Sequence, residues 1–174
     1  INYKKKYSPK KNKNFFFYPA NYWKHKNHIT ILKSCIYLKK EKKNFNFIFT
    51  GEDKGNLDNL VRFAKENKIS NMVKFLGFQN RSKIVNLYKT CKAVVVPTYL
   101  GPSNIPPLEA WQYSKPLLYP KHLSFFTGSA AIIFEVDNPK SLIQSLNKII
   151  KKKVYKYMIT KGKKALDKVY KDRV

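Results

Sequence analysis

"KAVVVPTYLGPSNIPPLEAW", Lys92 to Trp111, is the stretch that decides the fold. An apolar run of strand length stops at Pro97 and Thr98, and a loop of Gly, Pro, Ser and Asn follows. Pro106 and Pro107 suit helix entry, because the fixed φ of proline is helical and its missing N–H is not needed in a first turn. The layout predicts a strand, a pocket-forming loop and a helix from Pro107 to Tyr113 whose N-terminus faces the loop. Neither proline can donate, so the backbone donors open to an anion are those around Ser103, Asn104 and Ile105. Consecutive amides of this kind form an anion-binding concavity. Tyr99 and Gly101 allow the tight backbone path. Glu109 then falls in the predicted first turn, where a carboxylate complements the helix dipole. The same position lets it reach past a bound phosphate to accept hydrogen bonds from sugar hydroxyls. Spacing alone supports both readings.

The same pattern of buried strand and amphipathic helix extends in both directions. "FFFYPA", "NFIFTGE", "MVKFLG", "KPLLYP" and "AAIIFEV" read as further strands. Helical periodicity runs from about His28 to Lys43, Leu57 to Asn67 and Ser82 to Thr90. The tail is helical from Pro139 to about Lys171, with a break expected near Lys153 or Tyr155. Continuous apolar strands alternating with helices imply a parallel sheet covered on both faces. The fold class is therefore α/β, a Rossmann-like doubly wound parallel sheet of about six strands. Residues 1–14 form a basic, Asn-rich lead, and 15–174 form the folded domain with its C-terminal helices. Ligands of such sheets bind at the carboxyl ends of the strands. Those ends are "PANYWKHKN", "GEDKGN", "LGFQNRS" and "TYLGPSN".

The formal net charge is +26, which raises the question of a polyanionic partner. The arginines are only Arg62, Arg81 and Arg173, and lysine supplies the rest. Lys, Asn, Ile, Phe and Tyr are the residues of A/T-rich codons, so base composition accounts for much of the charge. Scarcity of arginine, the residue of base and phosphate forks, argues against nucleic acid. Lysine clusters are enough for contact with an anionic membrane surface. No apolar run is long enough to span a membrane, and no signal-peptide core follows Ile1. Cys35 and Cys91 read as buried thiols outside any metal spacing.

Asn21, Lys24, His25, Lys26 and His28 crowd the end of the first strand. A lysine there reaches a phosphate at the helix N-terminus, or forms part of a solvated basic loop. His25 and His28 lack a third ligand nearby, so no metal is expected. No Gly-x-Gly-x-x-Gly follows the strand, which speaks against a nicotinamide or flavin cofactor.

"GPSNIPPLEAW…SKPLL", preceded by "FLGF…NLYKTCKAVVVPT", resembles the donor-binding C-terminal domain of GT-B fold glycosyltransferases of family four, also called glycosyl transferases group one. The resemblance runs from about Phe15 to Ile150. It implies one half of a GT-B fold, no cofactor and a nucleotide-sugar donor. It assigns Lys26 and Glu109 to the catalytic machinery. Glu109 matches the second glutamate of the family's Glu-x7-Glu motif, which binds the donor ribose, and Lys26 matches the lysine that neutralises donor phosphate. The backbone at Asn104 and Ile105 matches the segment at the diphosphate and sugar, with Ser103 beside it. Gly77 and Phe78 match the turn that pairs with the nucleobase, and Gly51 matches the glycine of the adjoining loop.

Two positions depart from the pattern. The first glutamate of the motif falls at Gly101, and the family's phosphate-binding arginine falls near Asn21. A Gly-Pro-Ser/Thr-Asn version with a "HKNH" lysine segment is a sub-pattern of the family. The resemblance implies retaining transfer without a metal to a glycan or lipid-linked acceptor, in surface-polysaccharide or lipopolysaccharide synthesis at the cytoplasmic membrane face. It also implies a preceding acceptor-binding domain as partner, without which this chain turns over slowly or not at all. The rival readings are a non-catalytic nucleotide-sugar-binding module and a basic nucleic-acid-binding domain.

Overall fold

A computed structural model describes residues 15–101 and 105–172 of the chain. Six parallel strands form one sheet in the order β3-β2-β1-β4-β5-β6. They are β1 (Phe15–Pro19), β2 (Asn46–Thr50), β3 (Val73–Phe75), β4 (Ala93–Val95), β5 (Leu117–Pro120) and β6 (Ile132–Phe134). All six lie at the apolar runs read from the sequence. The first five residues of the domain are aromatic or proline and nearly all buried, as a strand covered on both faces requires.

The helices are α1 (His28–Lys40), α2 (Leu57–Glu66), α3 (Arg81–Thr90), α4 (Ile105–Gln112), α5 (Pro139–Ile149) and α6 (Lys152–Lys171). Helix α1 packs against α2 and α5, and α4 packs against α6. Chain order reverses between β1 and β4, where the sheet winds in both directions. Strand β1 pairs with β2 along its whole length, from Phe15↔Asn46 to Pro19↔Thr50. With β4 it pairs only at Phe16↔Ala93 and Phe17↔Val94. Beyond Phe17 the two strands part, and a crevice opens at the topological switch point.

Boundaries differ from the sequence reading in three places, the first at α1, which ends at Lys40 rather than about Lys43. Helix α4 starts at Ile105, two residues before the expected Pro107, so both prolines sit within its first turn. That turn has no carboxylate, and Glu109 is the fifth helical residue. The dipole reading of Glu109 is therefore overturned, because the dipole effect fades within the first turn. The break in the tail falls at Ile150 and Lys151 rather than near Lys153 or Tyr155. The buried apolar face of α5 ends at Ile149, while Ile150 is exposed, so packing sets the break.

Cys35 lies within α1 and Cys91 caps α3, both free and buried as expected. Burial pushes the Cys91 thiol up to about 12, which makes it inert at neutral pH.

Candidate functional site

A cleft of about 360 Å³ opens where β1 and β4 part. Its floor carries Tyr18, Thr50, Thr98 and Tyr119, and its rim carries Asn21, Lys26, Phe78, Gly101, Ile105 and Glu109. Loops after β1, β2, β3 and β4 thus meet around one space, together with the start of α4.

Lys26 belongs to a 3₁₀ turn, Lys24–Lys26, that leads into α1 through Asn27 in the left-handed conformation. The turn is held from below and from the side. The Tyr18 hydroxyl donates to the Lys26 carbonyl at 2.9 Å. The backbone N–H of Tyr99 and the Thr98 hydroxyl donate to the His25 carbonyl at 2.9 and 3.2 Å. Partial burial lowers the Lys26 ammonium below the usual lysine range. A burial penalty of this kind falls on the charged form and is relieved when an anion enters beside it.

Gly51 follows β2 with φ +152°, a backbone conformation that side chains rarely adopt. A Cβ there would lie 2.3 Å from the Ala20 carbonyl oxygen and 2.6 Å from the Asn21 nitrogen. The β1 and β2 loops therefore touch backbone to backbone. Asn21 reinforces the contact by accepting the Glu52 N–H on Oδ1 at 2.8 Å. That engagement gives Asn21 a structural task at the place where the sequence reading sought a phosphate ligand. The Gly51 N–H donates to the Gly77 carbonyl at 3.0 Å, which draws the β3 loop into the same contact. Gly77 itself does not line the cleft, whereas Phe78 does and is 72% exposed.

On the opposite side, Glu109 projects from α4 with a side chain 18% exposed. Its Oε2 accepts the Tyr88 hydroxyl at 2.8 Å and its Oε1 accepts Arg81 Nη1 at 3.2 Å. Gly101 lines the cleft, and a Cβ there would meet Leu123 and the Tyr119 hydroxyl at 3.4 Å. Ser103 and Asn104 lie outside the described residues, so of the three expected amide donors only Ile105 is placed, at the rim.

Sequence reasoning missed Thr50, Tyr88 and Tyr119. Thr50 is buried and its Oγ1 has no hydrogen-bond partner among the described residues, although the residue lines the cleft. Tyr88 and Tyr119 fall within a predicted helix and a predicted strand, and both are buried. His28, by contrast, is wholly buried against Tyr18, Tyr22 and Phe49, and His25 stacks on Trp23. The two histidines do not converge. Among the described residues no three His, Cys, Asp or Glu side chains gather at a metal-binding distance.

A doubly wound parallel sheet with a cleft at its switch point, lined among others by Lys26 and Glu109, is a Rossmann-like α/β domain. The sequence profile of the family described as glycosyl transferases group 1 matches residues 1–165, and the chain belongs to that family. Solved structures agree in fold. HepE from Anabaena, solved with UDP and glucose, superposes with TM-score 0.74 at 18% identity, over 88% of this chain and 42% of that one. The C-terminal domain of the group 1 glycosyl transferase LpcC from Francisella tularensis gives 0.72 at 18%, over 90% and 85%. WaaG, a glycosyltransferase of lipopolysaccharide biosynthesis, gives 0.72 at 14%, over 90% and 44%. The chain thus spans about two fifths of HepE and WaaG but most of the LpcC domain. These likenesses show the fold, one Rossmann-like half of the GT-B type. No curated protein matches the sequence. Among the described residues no helix is long and apolar enough to cross a membrane.

Proposed function

We propose that this chain binds the nucleotide-sugar donor of a glycosyltransferase that transfers a sugar to a glycan or lipid-linked acceptor. One observation carries the reading: Lys26 and Glu109 face a single cleft at the β1–β4 switch point, the place where such sheets hold nucleotides. HepE, similar in fold, was solved with UDP, which supports a nucleoside diphosphate as the guest.

The geometry suits the chemistry. Breaking the bond between anomeric carbon and diphosphate leaves negative charge on the leaving phosphate oxygen. Lys26 and the Ile105 N–H at the start of α4, whose two prolines have no N–H to offer, supply preorganised positive charge at that place, which is electrostatic stabilisation of the transition state. Glu109 accepts hydrogen bonds from the ribose hydroxyls and fixes the donor in register. In this reading the positive charge of Lys26 replaces a divalent metal, and the sugar is transferred with retention. The acceptor enters from an acceptor-binding domain, so the isolated chain binds donor and turns over slowly. WaaG acts in lipopolysaccharide biosynthesis, and we place this chain in the same kind of surface-glycan pathway, cytoplasmic and peripheral at the membrane. The lysine-rich surface suits that setting.

The test is calorimetric titration of the chain with UDP, GDP, ADP and their sugar conjugates, with Glu109→Ala alongside. The expected result is preference for one nucleotide, weakened at least about tenfold, or ~1.4 kcal/mol, by the substitution. Equal, weak binding of all three that ignores Glu109→Ala would sink the reading. A second reading, a non-catalytic nucleotide-sugar-binding module, is favoured by Gly101, which offers no side chain at the motif's first glutamate. It predicts the same binding, and no transfer when an acceptor domain is supplied.

A further inference from the structure

Glu109 does not reach the cleft as a free carboxylate. Two residues of α3 hold it, and they stand seven positions apart, two helical turns along one face. Tyr88 donates to Oε2 at 2.8 Å from a wholly buried position. Its ring is fixed edge-on against Phe17 at 5.1 Å and stacked on Tyr113 at 5.3 Å, so the hydroxyl cannot swing. Arg81 donates to Oε1 at 3.2 Å from the mouth, with a side chain 71% exposed. A carboxylate has about four acceptor sites. Among the described residues the two donors occupy one on each oxygen, which leaves one on each for a guest. Two remaining acceptors, at fixed spacing, match a vicinal pair of hydroxyls.

We infer that Tyr88 and Arg81 are the positioning residues of Glu109, which set its carboxylate to recognise the paired ribose hydroxyls of a nucleotide. The inference rests on the donor-binding function proposed above and adds a division of labour. Tyr88 fixes the direction of the carboxylate through a buried hydrogen bond. Arg81 holds the outer oxygen at the rim, where a solvent-exposed pair adds little to stability. Burial pushes the Tyr88 phenol well above its ordinary range, with the Glu109 carboxylate adding to the effect, so it remains a donor at every pH of interest.

The readout is sugar selectivity, which a purely structural role would not move. The chain is titrated with whichever of UDP, GDP or ADP it prefers, and with the 2′-deoxy and 3′-deoxy forms of that nucleotide. Wild type should discriminate against each deoxy form about tenfold. Tyr88→Phe keeps the ring packing, and should weaken the ribonucleotide about fivefold while leaving the deoxy forms unchanged. Arg81→Ala, at an exposed site that folding does not need, should reduce discrimination about twofold. It supplies the test on its own if Tyr88→Phe fails to fold. Equal weakening of ribo and deoxy forms by Tyr88→Phe, or unchanged discrimination in both variants, would overturn the inference while donor binding stands. Loss of all preference in wild type, with Glu109→Ala silent, would overturn the function and the inference together.

Discussion

Gly51 and Gly101 both lie at the rim of the cleft, yet they are glycines for different reasons. At Gly51 the backbone leaves no choice: φ is +152° and a Cβ would sit 2.3 Å from a backbone oxygen. At Gly101 a Cβ would make contacts of 3.4 Å with two side chains, and φ is unremarkable. The first glycine is demanded by the close approach of two loops. The second is permitted, and its want of a side chain is a matter for the guest rather than for the fold. The β1–β2 side of the cleft is therefore the rigid wall, and the β4 side is the one with room for a side chain.

The sharpest way to break this contrast is Gly51→Ala. Relief of the contact requires moving the Ala20–Asn21 backbone, so we expect destabilisation of at least about 2 kcal/mol and loss of nucleotide binding. Urea unfolding and calorimetry on the same variant measure both. Next in size is Lys26→Ala. It should cost about 10²-fold in turnover once an acceptor domain is supplied, in line with the loss of one preorganised donor. Its binding defect should vanish for the nucleoside without phosphates, and an equal defect for nucleoside and diphosphate would contradict the role.

A third test concerns the rigid wall from beneath. Burial holds the His28 imidazole down at about 3, against an ordinary value of 6.5. The unfolded chain therefore binds the extra proton between those two values and the folded one does not. Stability is full above pH 6.5 and falls as pH drops towards 3, by roughly 1.4 kcal/mol per unit within that window. Asp53 has a depressed value, set chiefly by the backbone N–H of Leu57, and its contribution is lost only below the ordinary carboxylate range. The urea midpoint should thus fall between pH 6.5 and 4.5 in wild type and fall much less in His28→Phe, where the lowered His25 remains. The smallest effect is expected at Gly101→Ala, a shift within about 0.5 kcal/mol. A large loss of stability there would end the distinction between the two glycines.

Most of the sheet was legible because its strands are runs of Phe, Val, Ile and Leu closed by Gly or Pro. The start of α4 was not, because two consecutive prolines mark a first turn without saying which of its positions they fill. The pairing of Glu109 with Tyr88 and Arg81 was hidden for another reason. Residues 81, 88 and 109 meet only after α3 and α4 have docked on the same side of the sheet, and a tyrosine in an apolar helix face carries no sign that its hydroxyl faces a carboxylate. Asn21 lines the cleft, yet its side-chain oxygen serves the Glu52 amide, a partner 31 positions away. Local spacing speaks to helices and strands, but long-range polar partners come from topology.

The partial pairing of β1 with β4 carries one more consequence. Hydrogen-bonded contact between these strands ends at Phe17 and Val94, while both chains run on to line the cleft. That line is a seam between two kinds of selection. Below it, a substitution answers to the core of Phe16, Phe17, Ala93 and Val94, all buried. Above it, a substitution answers also to whatever occupies the cleft, which Tyr18 and Val96 line while they are buried in the core. Exchange of the segments above the seam for those of a relative with another donor would alter what is bound while the sheet keeps its register, so the molecule divides into chassis and fitting within one continuous pair of strands.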